Sequence, residues 1–97
     1  MLELTSQQRK YLRGIAHHIR ATVQVGRHGV TPEVLQAVNR ALLEHELIKV
    51  KMHEPEDKKT MARGLAEQTE SAMCGLIGHV VILYRPHPEE PQLDLPK

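Results

Sequence analysis

Ala21-Thr22-Val23-Gln24-Val25-Gly26-Arg27-His28-Gly29-Val30-Thr31-Pro32 holds a strand, a glycine-bracketed turn and a helix start in immediate succession. Val23 and Val25 alternate with Thr22 and Gln24, the period of a half-buried strand. Gly26 ends it. Thr31 reads as an N-cap, Pro32 suits the first helical position, and Val30 can staple against Leu35. Toward the C-terminus, Val34, Leu35, Val38 and Leu42 give this helix a buried face, ending near His45. Leu47 to Met52 sets Ile48, Val50 and Met52 against Lys49 and Lys51, a strand with its lysines facing water or a ligand. Pro55 breaks the chain, Asp57 is a cap, and Met61, Ala62, Leu65, Ala66 and Thr69 mark a third helix to about Glu70. Cys74 to Ile77 and Val80 to Arg85 flank Gly78-His79 as an antiparallel hairpin. Val80 to Leu83 is apolar on both faces, so this last strand is expected to be central and covered on both sides.

Toward the N-terminus, Thr5 with Gln8 forms a capping box, and Leu12, Ile15, Ala16 and Ile19 line one face of a first helix. Arg9, Lys10 and Arg13 occupy the rest of its surface. The order helix, strand, helix, strand, helix, strand, strand is an α/β domain with a mixed four-stranded sheet. Residues 1–86 form that single domain. Residues 87–97 shift to Pro, Glu and Asp and read as a mobile tail.

Composition excludes several classes. Ninety-seven residues allow one core. The longest apolar run, Val80 to Tyr84, is far short of the about 20 residues a membrane helix needs. With no signal peptide at Met1-Leu2-Glu3, a cytoplasmic protein is expected. The single cysteine, Cys74, permits no internal disulfide and no paired-cysteine zinc module. The histidines show no metal-ligand spacing, no Ser/His/Asp or paired-carboxylate order stands out, and no nucleotide P-loop motif is present. No metal, cofactor, catalytic residue or small-molecule substrate is therefore assigned. Tyr11 and Tyr84 are the only aromatics among Phe, Trp and Tyr, too few for an aromatic base-stacking platform.

The formal charge of +1 hides segregation. Residues 1–29 carry Arg9, Lys10, Arg13, Arg20 and Arg27 against Glu3, and residues 49–63 carry five cations against Glu54, Glu56 and Asp57. The remainder is acidic, so a polyanion would be steered to one side. Gly26-Arg27-His28-Gly29 sits where such a ligand can be held. Glycines let another backbone approach, and a helix N-terminus offers unpaired N–H groups to a phosphate. Arg27 adds a charged donor. That is how a GXXG loop grips a nucleic-acid backbone. A plain tight turn shares the same four residues.

Leu4-Thr5 with Gln8, Leu12-Arg13-Gly14-Ile15-Ala16-His17, Val25 to Thr31, His45 to Lys51, Ile77-Gly78 and Leu83-Tyr84-Arg85-Pro86 together resemble the CRM domain (chloroplast RNA splicing and ribosome maturation), in its bacterial single-domain YhbY-like form. The resemblance implies an RNA-binding domain without catalytic activity, similar in fold to the C-terminal domain of translation initiation factor three. It also implies association with precursors of the large ribosomal subunit. The family's loop maps onto Gly26, Arg27, His28 and Gly29, and its basic surface onto Arg9, Lys10 and Arg13 with Lys49 and Lys51. His28 stands where a smaller or more flexible residue is usual, and the tail's Glu89, Glu90 and Asp94 replace a commonly basic tail. The competing expectation is a ribosome-docking module that meets protein rather than RNA.

Overall fold

The computed structural model describes residues 2–97. Its elements are α1 (Ser6–Ala16), β1 (Val23–Val25), α2 (Pro32–His45), β2 (Leu47–Met52), α3 (Lys58–Gln68), β3 (Ala72–Ile77) and β4 (Val80–Tyr84). The caps lie where the sequence places them. Thr5 and Gln8 form a reciprocal capping box, the Thr31 hydroxyl accepts from the Val34 N–H, and Asp57 accepts from the N–H groups of Lys59 and Thr60.

The sheet runs β1-β2-β4-β3. β1 and β2 are parallel, joined across α2, whereas β4 is antiparallel to both its neighbours, so the sheet is mixed. Gly78, with φ of +59°, opens the two-residue β3–β4 turn at the position where a tight hairpin needs positive φ.

Three layers result. On one face α2 and α3 pack Val38, Leu42, Ala62 and Leu65 against Val25, Ile48, Val50, Val81 and Leu83. On the other, α1 packs Leu12 and Ala16 against Leu47, Cys74, Ile82 and Tyr84. β4 therefore contributes to both cores, as its unbroken apolar run requires. Arg85, just beyond it, donates to the Asn39 side chain and backbone carbonyl and to the Thr69 carbonyl, tying α2, α3 and β4 together. Cys74 is buried, and burial pushes its thiol up to about 11 against the pull of Arg13 and Arg9, so it is a small core residue rather than a nucleophile.

The C-terminal segment, read from its composition as a mobile tail, lies against the domain in this structure. Leu93 and Leu95 pack onto the α1 core, and Gln8 Nε2 donates to the Pro96 carbonyl at 2.9 Å. The anchor is Glu46, the α2 C-cap, only 3% exposed, with φ of +64°. Its carboxylate accepts from the N–H groups of His87 (2.6 Å), Gln92 (2.8 Å) and Leu93 (3.1 Å). Composition cannot reveal this, because one buried carboxylate holds a segment that has few apolar residues of its own.

Candidate nucleic-acid interface

The Gly26–Gly29 turn is built by the ends of two strands. The His53 N–H donates to the Val25 carbonyl at 2.9 Å, fixing where β1 stops, and the Met52 N–H donates to the His79 carbonyl at 2.8 Å. The loop, the end of β2 and the β3–β4 hairpin thus share one end of the sheet. The turn is closed by the Gly29 N–H donating to the Gly26 carbonyl at 3.0 Å. Gly29 has φ of +74°, which a side chain adopts only with strain. At both glycines a Cβ would meet no atom within 4 Å, so the space over the loop is open.

The helix behind the loop offers less than the sequence implies. Pro32 has no N–H and the Thr31 hydroxyl takes that of Val34 at 3.2 Å. Among the described residues this leaves the Glu33 amide as the free donor of the first turn, and Glu33 itself brings a negative charge there. The expectation of several unpaired amides is corrected: a good cap consumes what a phosphate would use. Arg27 remains as the cation of the loop itself. A cleft of about 430 Å³ separates the loop from the β2–α3 connection, whose Glu54, Glu56 and Asp57 line its far wall. Residues 49–63 are therefore not one basic surface. Asp57 is already engaged at its helix cap.

Cations gather on the sheet face beyond α1. Pairing sets Ile77 opposite Val80, Val80 opposite Lys51 and Lys51 opposite Gln24, one row across all four strands. Directly opposite residues point to the same side, here the side of α1. Lys49, paired with Ile82, stands one row nearer the helix. Arg13 joins them: its guanidinium donates to the Cys74 carbonyl at 2.8 Å and its stem crosses Gly75. His53 borders the same face, its ring nitrogen 2.9 Å from Gln24 Oε1.

Arg9 and Lys10 are elsewhere. Arg9 donates to the Leu4 carbonyl and the Ser6 hydroxyl beside the start of β3, and Lys10 lies with Tyr11, Gly14 and His18 near Pro96. Arg13, Lys49 and Lys51 are brought together at the border of α1 and the sheet, with Arg27 at the sheet's end. Gln24, Ile77 and Val80 complete the face and were not singled out by the sequence. Alternation signals Gln24, but neighbours across strands are set by pairing. Among the described residues no Lys or Arg lies within ion-pair distance of a carboxylate; the sole close pair is Glu44–His45 at 3.8 Å.

This strand–GXXG–helix arrangement coincides with a family match. Residues 4–85 fit the CRS1 / YhbY (CRM) domain. The chain belongs to that family. Similar proteins include one from Haemophilus influenzae named "RNA-binding protein", 38% identical over the whole of this chain and 99% of its own length. Another is the Bacillus subtilis "Probable RNA-binding protein YqeI", 36% identical over 96% of this chain and 99% of its own. Among solved structures, a hypothetical protein of Staphylococcus aureus, described as a candidate RNA binder, superposes with a TM-score of 0.84 at 34% identity, covering 97% of this chain and all of the other. The CRM fold is thus the α/β arrangement expected from the sequence. No helix among the described residues is long and apolar enough to cross a membrane.

Proposed function

We propose that this CRM domain binds ribosomal RNA by its phosphates and assists assembly of the large ribosomal subunit, without catalysis. The loop Gly26, Arg27, His28 and Gly29 approaches one stretch of backbone while Arg13, Lys49 and Lys51 hold neighbouring phosphates. Arg9 and Lys10 serve as peripheral contacts. The observation that carries this reading is the closed, open-sided turn standing at the end of a sheet face whose cations lack internal carboxylate partners. Relatives named as RNA-binding proteins support the ligand class.

Sedimentation of cell extract tests the ribosomal assignment. The protein should travel with large-subunit precursors and be released when the particles are digested with ribonuclease. Retention on digested particles would assign the contact to a ribosomal protein instead.

A further inference from the structure

The row Ile77–Val80–Lys51–Gln24 contains something a phosphate grip does not use. Ile77 is 64% exposed, the largest exposure of any large apolar side chain in the described chain. A lone exposed aliphatic residue needs no explanation. Ile77, however, adjoins half-buried Val80 across the hairpin, and Val80 adjoins exposed Lys51. The four residues span three strand spacings, about 14 Å. Arg13 on Gly75 borders the row toward α1, and no carboxylate lies among these residues.

From this juxtaposition we propose that the open sheet face is a seat for an unpaired RNA nucleotide, whose base or ribose lies on Ile77 and Val80 while its flanking phosphates meet Lys51 and Lys49. The inference rests on the phosphate-binding reading and names the RNA state it takes. An A-form duplex keeps its bases stacked inside and presents phosphates and hydroxyls, which would leave Ile77 against polar groups. A single strand can turn a base outward, and any base face removes aliphatic surface from water. The surface is continuous with the loop, since the Met52–His79 hydrogen bond joins the hairpin to the end of β2 and His53 joins β2 to Val25. A strand leaving the loop therefore reaches the row without crossing the acidic connection at Glu54 and Glu56.

The test measures binding of two probes at one salt concentration: a mixed-sequence single-stranded oligoribonucleotide of about ten nucleotides, within the footprint range of small single-strand binders, and its blunt duplex. Ile77→Ser should weaken single-strand binding about fivefold and leave duplex binding unchanged, with Ile77→Leu restoring the parent value. Ile77 lies outside the buried core, so its substitution should leave the fold intact, and circular dichroism checks this. Single-strand affinity unchanged in Ile77→Ser, or equal losses for both probes, overturns the proposal. Failure of the phosphate reading looks different: a parent that binds neither probe, or one indifferent to Arg27→Asp with His28→Asp.

Discussion

Arg13 lies across Gly75: a Cβ there would stand 2.8 Å from the arginine Cδ and 3.2 Å from its Cγ, while the guanidinium donates to the neighbouring Cys74 carbonyl at 2.8 Å. The missing side chain is what lets a cation from α1 reach over the edge strand. Gly75→Ala should push the stem away and break that hydrogen bond, destabilising the domain by about 1 kcal/mol. Urea unfolding checks it. Arg13→Ala added to Gly75→Ala should cost little more, because both changes remove the same contact.

The Glu46 carboxylate predicts an acid response. Burial pushes its pKa up, but the N–H groups of His87, Gln92 and Leu93, with the charge of His87, more than offset this and hold it below the usual value. A group with a depressed folded pKa adds stability above its unfolded value, about 4.3 for glutamate, and loses it as pH falls through the folded value. Glu46→Gln should lower stability near neutral pH by about 1–3 kcal/mol, since its amide turns a donor toward backbone donors. The difference in melting temperature between parent and Glu46→Gln should shrink as pH falls below about 4.

Period and pairing separate two neighbours in β2. Lys49→Ala with Lys51→Ala removes side chains from the open face and should weaken RNA binding while the fold persists. Val50→Asp should unfold the domain, because Val50 is fully buried and the new charge would have no partner. Circular dichroism and RNA binding on both proteins separate the two outcomes.

The local parts of this structure were legible in the sequence because their causes are local. Thr5, Thr31 and Asp57 cap helices from within three residues, and Val80 to Leu83 lacks the alternation of a one-sided strand. Lys49 and Lys51 declared their face by period alone. What stayed hidden depends on distant pairing. The parallel β1–β2 contact brings Glu54 and Glu56 back beside the loop, and the hairpin sets Ile77 in line with Lys51. Charge counts grouped Arg9, Lys10 and Arg13, but only Arg13 is turned over Gly75. β3 begins at Ala72 rather than Cys74, since its pairing with Tyr84 extends the strand past the apolar run.

Affinity for RNA should fall steeply with salt. Each phosphate neutralised on a single strand contributes about −0.7 to the log–log slope. Contacts by Arg13, Arg27, Lys49 and Lys51 would give a slope of about −3. A flat response would remove the electrostatic basis for the interface.

The most direct measurement is RNA binding by the protein carrying Arg27→Asp and His28→Asp with Gly26 and Gly29 kept. The turn's hydrogen bond joins Gly26 to Gly29 and the Thr31 cap lies outside it, so stability should change by no more than about 1 kcal/mol. Two carboxylates would then stand where a phosphate must approach. The account predicts a folded protein whose RNA affinity is at least tenfold lower, about 1.4 kcal/mol. A folded double variant that binds RNA as tightly as the parent would contradict it and reduce Gly26–Gly29 to a tight turn.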